Sequence, residues 1–146
     1  MGIKQNLLSF LSTIPENVKL VAVSKTKPIE DIQQAYDAGQ RIFGENKVQA
    51  LIAKAPQLSD KIDWHFIGHM QTNKVKFIAP FVQLIHAVDS LKLLKEINKQ
   101  AKSNGRIIDC LLQFHIAKES TKFGLNLGEA EDILNSDDFL SLNNLR

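Results

Sequence analysis

Cysteine is nearly absent from this chain. Cys110 is the only one, and a single thiol permits no intramolecular disulfide. It sits in the apolar run Ile107 to Phe114 and reads as a buried core thiol. Charge of one sign is scarce too: the formal net charge is +2 and the lysines are scattered, so no basic stripe for nucleic acid appears. No apolar run is long enough to span a membrane. The opening Met1-Gly2-Ile3-Lys4-Gln5-Asn6 lacks the apolar core of a signal peptide, and Asn6 breaks the myristoylation pattern. No Gly-x-Gly-x-x-Gly follows the first strand-like run, which removes the main argument for a dinucleotide-binding sheet. These absences predict a cytoplasmic protein with no nucleic-acid or membrane partner.

What is present is a regular alternation. With 146 residues, 44% of them hydrophobic and 23% charged, the chain reads as one soluble domain over 1–146. Strands are expected near 18–24, 41–44, 62–68, 82–88 and 106–116. Helices are expected over 3–12, 28–38, 47–56, 71–79, 91–103 and 128–135. Ile3, Leu7, Leu8 and Leu11 share one face of the first helix. Pro28 falls in the first turn of the second and Gly39 just past its end, with Ile29, Ile32, Ala35 and Tyr36 as its buried stripe. Ser90 is expected to cap the fifth, with Leu91, Leu94, Lys95 and Asn98 in register and Gly105 closing it. Residues 139–146 look like the approach to a sixth strand.

Such βα alternation argues for a parallel sheet, and both an open doubly wound sheet and a closed (β/α)8 barrel fit it. A barrel needs eight units and typically ~250 residues. Five complete units are counted here.

Lys25 is the residue on which a function turns. The run from Val18 to Ser24 is apolar and β-branched enough to be buried on both faces, as parallel strands are. It ends on Lys25, which would project from the carboxyl end of the sheet, where such folds place their chemistry. Partial desolvation and Lys27 two residues on would both disfavour the charged amine. A neutral amine condenses with an aldehyde. The plainer alternative is a solvated strand-end lysine.

Six short motifs follow in order: Val21-Ala22-Val23-Ser24-Lys25-Thr26-Lys27-Pro28, Phe43-Gly44-Glu45-Asn46 and Trp64-His65-Phe66-Ile67-Gly68, then Gln71-Thr72-Asn73-Lys74, His86-Ala87-Val88-Asp89-Ser90 and Ile116-Ala117-Lys118-Glu119-Ser120-Thr121-Lys122-Phe123-Gly124. Each is weak alone. In this order and spacing, from about residue 18 onward, the chain closely resembles the pyridoxal-phosphate homeostasis family, single-domain relatives of the barrel half of alanine racemase. The resemblance favours the barrel over the open sheet, a (β/α)8 barrel of the type III pyridoxal-phosphate fold, here apparently incomplete. It implies that Lys25 carries pyridoxal 5′-phosphate (PLP) as a Schiff base. It also implies that Asn46 lies beside the cofactor ring and that His65 and His86 line the pocket wall. Lys122, in the segment that rims the pocket mouth in the family, could attract the phosphate. Apart from PLP, the partners implied are PLP-dependent apoenzymes, and the role is PLP homeostasis.

Each of these residues has another reading. Asn46 could cap the helix expected from Lys47, and Glu45 could simply complement that helix's dipole. His65, His86 and His115 near three strand ends could ligate a metal, which makes a metal-dependent barrel hydrolase the main rival. His115 and His69-Met70 depart from the family pattern. A PLP racemase also needs a second acid/base group, supplied in the relatives by a tyrosine of a second domain. Tyr36 is the one tyrosine, on a buried helix stripe, so the sequence supports cofactor binding better than turnover. Nothing after Gly124 matches the motifs that hold the phosphate in the family.

Overall fold

The structure is a computed structural model and describes residues 2–118 and 123–146. Five strands form one parallel sheet in sequence order: β1 Ala22–Val23, β2 Ile42–Glu45, β3 Asp63–Phe66, β4 Leu84–Val88 and β5 Asp109–Leu112. Between and around them lie α1 Ile3–Leu11, α2 Ile29–Asp37, α3 Val48–Lys54, α4 Val75–Ile78, α5 Leu91–Ser103, α6 Leu127–Leu134 and α7 Asp137–Leu140. The architecture is a partial (β/α)8-type barrel.

Alternation along each strand sorts its side chains between two faces. Phe43, Trp64, Phe66 and Ile85 point to the helices and pack with Ile32, Leu51, Val75, Ile78, Leu93, Leu94 and Ile97 into the core. Val23, Gly44, His65, His86 and Leu111 take the opposite face, which would be the inside of a closed barrel. Val23 is 51% exposed and Leu111 47%, so that face is only partly covered.

Helix ends follow their sequence signals. Pro28 stands at the N-cap of α2, and Gly39 just beyond it has φ 110°. The Ser90 hydroxyl accepts from Leu93 N–H at 3.1 Å, and Gly105 after α5 has φ 63°. Other expectations need correction. β1 is two residues long and not buried on both faces, because it is an edge strand paired only to β2. The buried stripe of α5 is Leu93, Leu94, Ile97 and Ala101, with Lys95 turned outward to Asp138. Leu8 is exposed, leaving Ile3, Leu7 and Leu11 as the inward face of α1. The stretch 71–79 divides into a 3-10 turn, Thr72–Lys74, and the short α4.

The expected sixth strand begins where the sequence placed it, after the unforeseen α7. Ile108 N–H donates to Asn144 O (3.0 Å), Arg146 N–H to Ile108 O (3.1 Å) and Cys110 N–H to Arg146 O (2.9 Å). Ile108 and Leu145 form a parallel bridge, and the Arg146 guanidinium grips Asp109 at 2.8 and 3.0 Å.

Candidate functional site

Pairing fixes one row across the sheet. Val23 is level with Gly44, Gly44 with His65, and Phe66 with Ile85. Counting on by register places Lys25, Asn46, Ile67 and His86 at one level on the carboxyl rim. Hydrogen bonds keep the strands aligned up to it: Ser24 N–H donates to Gly44 O (3.0 Å) and Ile67 N–H to Glu45 O (2.9 Å).

Lys25 itself is exposed. The expected desolvation of its amine is therefore not met, because β1 lies at the sheet edge and ends two residues earlier. Lys25 opens a tight turn in which Lys27 N–H donates to Ser24 O at 3.1 Å. Thr26, next in that turn, holds φ 63°, a left-handed conformation that a β-branched residue seldom adopts.

Below the rim, Glu45 belongs to β2 and is wholly buried, which overturns its reading as a helix-dipole carboxylate. Oε1 accepts from Lys54 Nζ at 2.8 Å and Oε2 from the Ser24 hydroxyl at 2.5 Å. The same Lys54 ammonium donates to Ser24 O at 2.8 Å. Ser24 and Lys54 were missed as site neighbours, since nothing in a lysine nine residues after Glu45 announces it. The readable signal was Glu45, a carboxylate following Ile42-Phe43-Gly44, which must be paired once buried.

Asn46 is half-buried and does not cap α3; Lys47 holds the N-cap position and no side chain bonds there. A β-carbon on Gly68 would lie 2.3 Å from Asn46 O, so only glycine allows the loop after β3 to close on Asn46. Asn46 lines a cleft of about 280 Å³ with Lys47, Gln49, His69, Gln71 and Lys74. His69 stacks on Phe123 with ring centroids 3.9 Å apart.

His65 and His86 meet directly, Nδ1 to Nε2 at 2.9 Å. Burial pushes the His65 imidazole down to about 4, helped by repulsion from His86 and Lys19 and opposed by Asp63 and Asp109. Burial lowers His86 as well. Their contact needs one ring to donate and one to accept, which a neutral pair does. His115 takes no part; its Nε2 is buried without a hydrogen-bond partner. Among the described residues no three histidine, cysteine or acidic side chains gather as metal ligands. Tyr36 stands away from this face, its hydroxyl 2.9 Å from Ser59 and its ring under the Arg41 guanidinium. Gly124 has φ 122°, the positive value expected of it, and its N–H donates to Asp89. Lys122 lies outside the described residues.

Residues 2–142 match the family model for the alanine racemase N-terminal domain. The pyridoxal phosphate homeostasis protein of Pasteurella multocida is 39% identical over 146 aligned residues, covering 91% of this chain and 63% of that protein. PipY of Synechococcus elongatus, solved with PLP bound, superposes with a TM-score of 0.89 at 34% identity, over 99% of this chain and 66% of that one. Alanine racemase of Clostridium difficile, at 15% identity and a TM-score of 0.76, shares the fold. The chain thus spans less than two thirds of the length of the curated relatives it matches.

Proposed function

We propose, from the premise that this chain belongs to the alanine racemase N-terminal domain family and within it to the pyridoxal-phosphate homeostasis proteins, that it binds PLP through a Schiff base on Lys25 and serves PLP homeostasis. The observation that carries this reading is the rim row, where register sets the amine of Lys25 level with Asn46 and His86. PLP supplies an electrophilic aldehyde when bound, and the residues present suit that end of it. Lys25 is exposed and enters no ion pair among the described residues, so its amine is available. Asn46 offers an amide at ring height. His65 and His86 form an uncharged wall beneath, which leaves the positive charge at the rim to the lysine.

Holding suits these residues better than turnover. A racemase needs a second proton-transfer group facing the first, worth ~10²–10⁴-fold in rate. Tyr36 is occupied with Ser59 and cannot serve. The chain then buffers a reactive aldehyde in the cytoplasm and hands it on, with PLP-dependent apoenzymes as recipients.

Protein incubated with PLP and reduced with borohydride is expected to carry a pyridoxyl group on the peptide containing Lys25. The same preparation should racemise neither D- nor L-alanine faster than free PLP does. A label found only on other lysines, or unchanged in Lys25→Ala, overturns the assignment.

A further inference from the structure

We infer that Ser24, Glu45 and Lys54 form a positioning clamp for Lys25. The inference rests on the reading of Lys25 just given and adds residues to it. An exposed lysine after a two-residue edge strand has no packing of its own to place it. Its placement must come through the backbone, and the residue before it is fixed at every polar group. Ser24 N–H donates to Gly44 O (3.0 Å), its hydroxyl to Glu45 Oε2 (2.5 Å), and its carbonyl accepts from both Lys54 Nζ (2.8 Å) and Lys27 N–H (3.1 Å). That carbonyl belongs to the peptide bond joining Ser24 to Lys25. The Lys54 ammonium, rooted in α3, therefore holds the peptide plane from which the Lys25 side chain departs.

Two further features agree. Thr26 keeps a left-handed backbone at φ 63°, and such conformations persist only where the surroundings over-determine them. The clamp over-determines the first corner of that turn. A buried ion pair is also a poor device for stability, since desolvation consumes much of its attraction. Glu45 is wholly buried and the Lys54 side chain 14% exposed, so the pair bears that cost. What it delivers instead is geometry, at the one strand end that carries the amine.

The test uses pyridoxal, which lacks the phosphate, and reads borohydride-trapped label on Lys25 against label on Lys4, an exposed lysine on α1. In the parent chain Lys25 should label faster than Lys4. The double variant Glu45→Gln/Lys54→Met removes both charges yet leaves an amide for the Ser24 hydroxyl. It should lower the Lys25 to Lys4 ratio about tenfold or more, as misplacing a reacting group does. Lys54→Arg keeps the charge and both donors and should restore the ratio. Ser24→Ala leaves the ion pair whole and should give a smaller loss; it replaces the double variant if circular dichroism shows that one unfolded. A folded double variant, or Ser24→Ala, with the parent ratio and the parent pH profile of labelling sinks the clamp alone. A parent chain that labels Lys25 no faster than Lys4 sinks the Schiff-base reading, and the clamp with it.

Discussion

His65 stays neutral well below the pH at which a free imidazole takes a proton. Its value falls from 6.5 to about 4, mainly by burial and then by His86, whose neighbouring charge would repel a second proton. The consequence for stability has a definite sign. Between pH 6.5 and about 4 the unfolded chain binds the proton and the folded chain does not, so stability is full above 6.5 and drains as pH falls. A shift of this size amounts to roughly 3 kcal/mol at the acid end. Urea midpoints measured from pH 7 to 4 should therefore fall, and His65→Gln should flatten that fall. An unchanged slope in the variant would show that other groups carry it. Residue by residue, legibility was uneven. Lys25, Asn46, His65 and His86 stood out because they end strand-like runs or repeat a known pattern. Ser24 and Lys54 did not, because their importance arises only when α3 folds back over β1 and sets an ammonium against one carbonyl.

Elements are governed by their ends. Ser90 caps α5 and Gly105 terminates it, and both were visible in the sequence because capping is local chemistry. Ser90→Ala removes the acceptor for Leu93 N–H and is expected to cost about 1 kcal/mol, with Ser90→Gly costing less. Thermal midpoints of the two variants check the order; equal losses would mean that something other than capping is at work. Strand extents were less legible. Residues 18–24 carry the composition of a central strand, yet only Ala22–Val23 pair, since pairing depends on a neighbour supplied by distant sequence. The α5 stripe was misread by one helical position, because Leu91, Leu93 and Leu94 offer two apolar faces and only packing against α4 and the sheet selects one. α7 was missed altogether: four residues leave too short a pattern to read.

At the scale of the molecule the sheet has one clothed face and one partly bare. Val23 and Leu111 expose about half their surface there, and β1 offers an unpaired edge. Apolar surface beside open strand edges invites association. The 146-residue chain is therefore expected to sediment as a concentration-dependent mixture and to bind PLP weakly. A longer chain carrying the further βα units of a whole barrel should sediment as a compact monomer and bind more tightly. A short chain that is already a compact monomer with the long chain's PLP affinity would refute this.

Strand order also equals sequence order. Ala22 pairs with Phe43 and Ile42 with Asp63, so each new strand finds its place on the one just before it, across a loop of about twenty residues. No strand waits for a partner from the far end of the chain. Contacts this local favour rapid, progressive assembly, with each βα unit settling on its predecessor. During synthesis, the rim that bears Lys25 can thus be laid down and clamped as soon as β2 and α3 have left the ribosome.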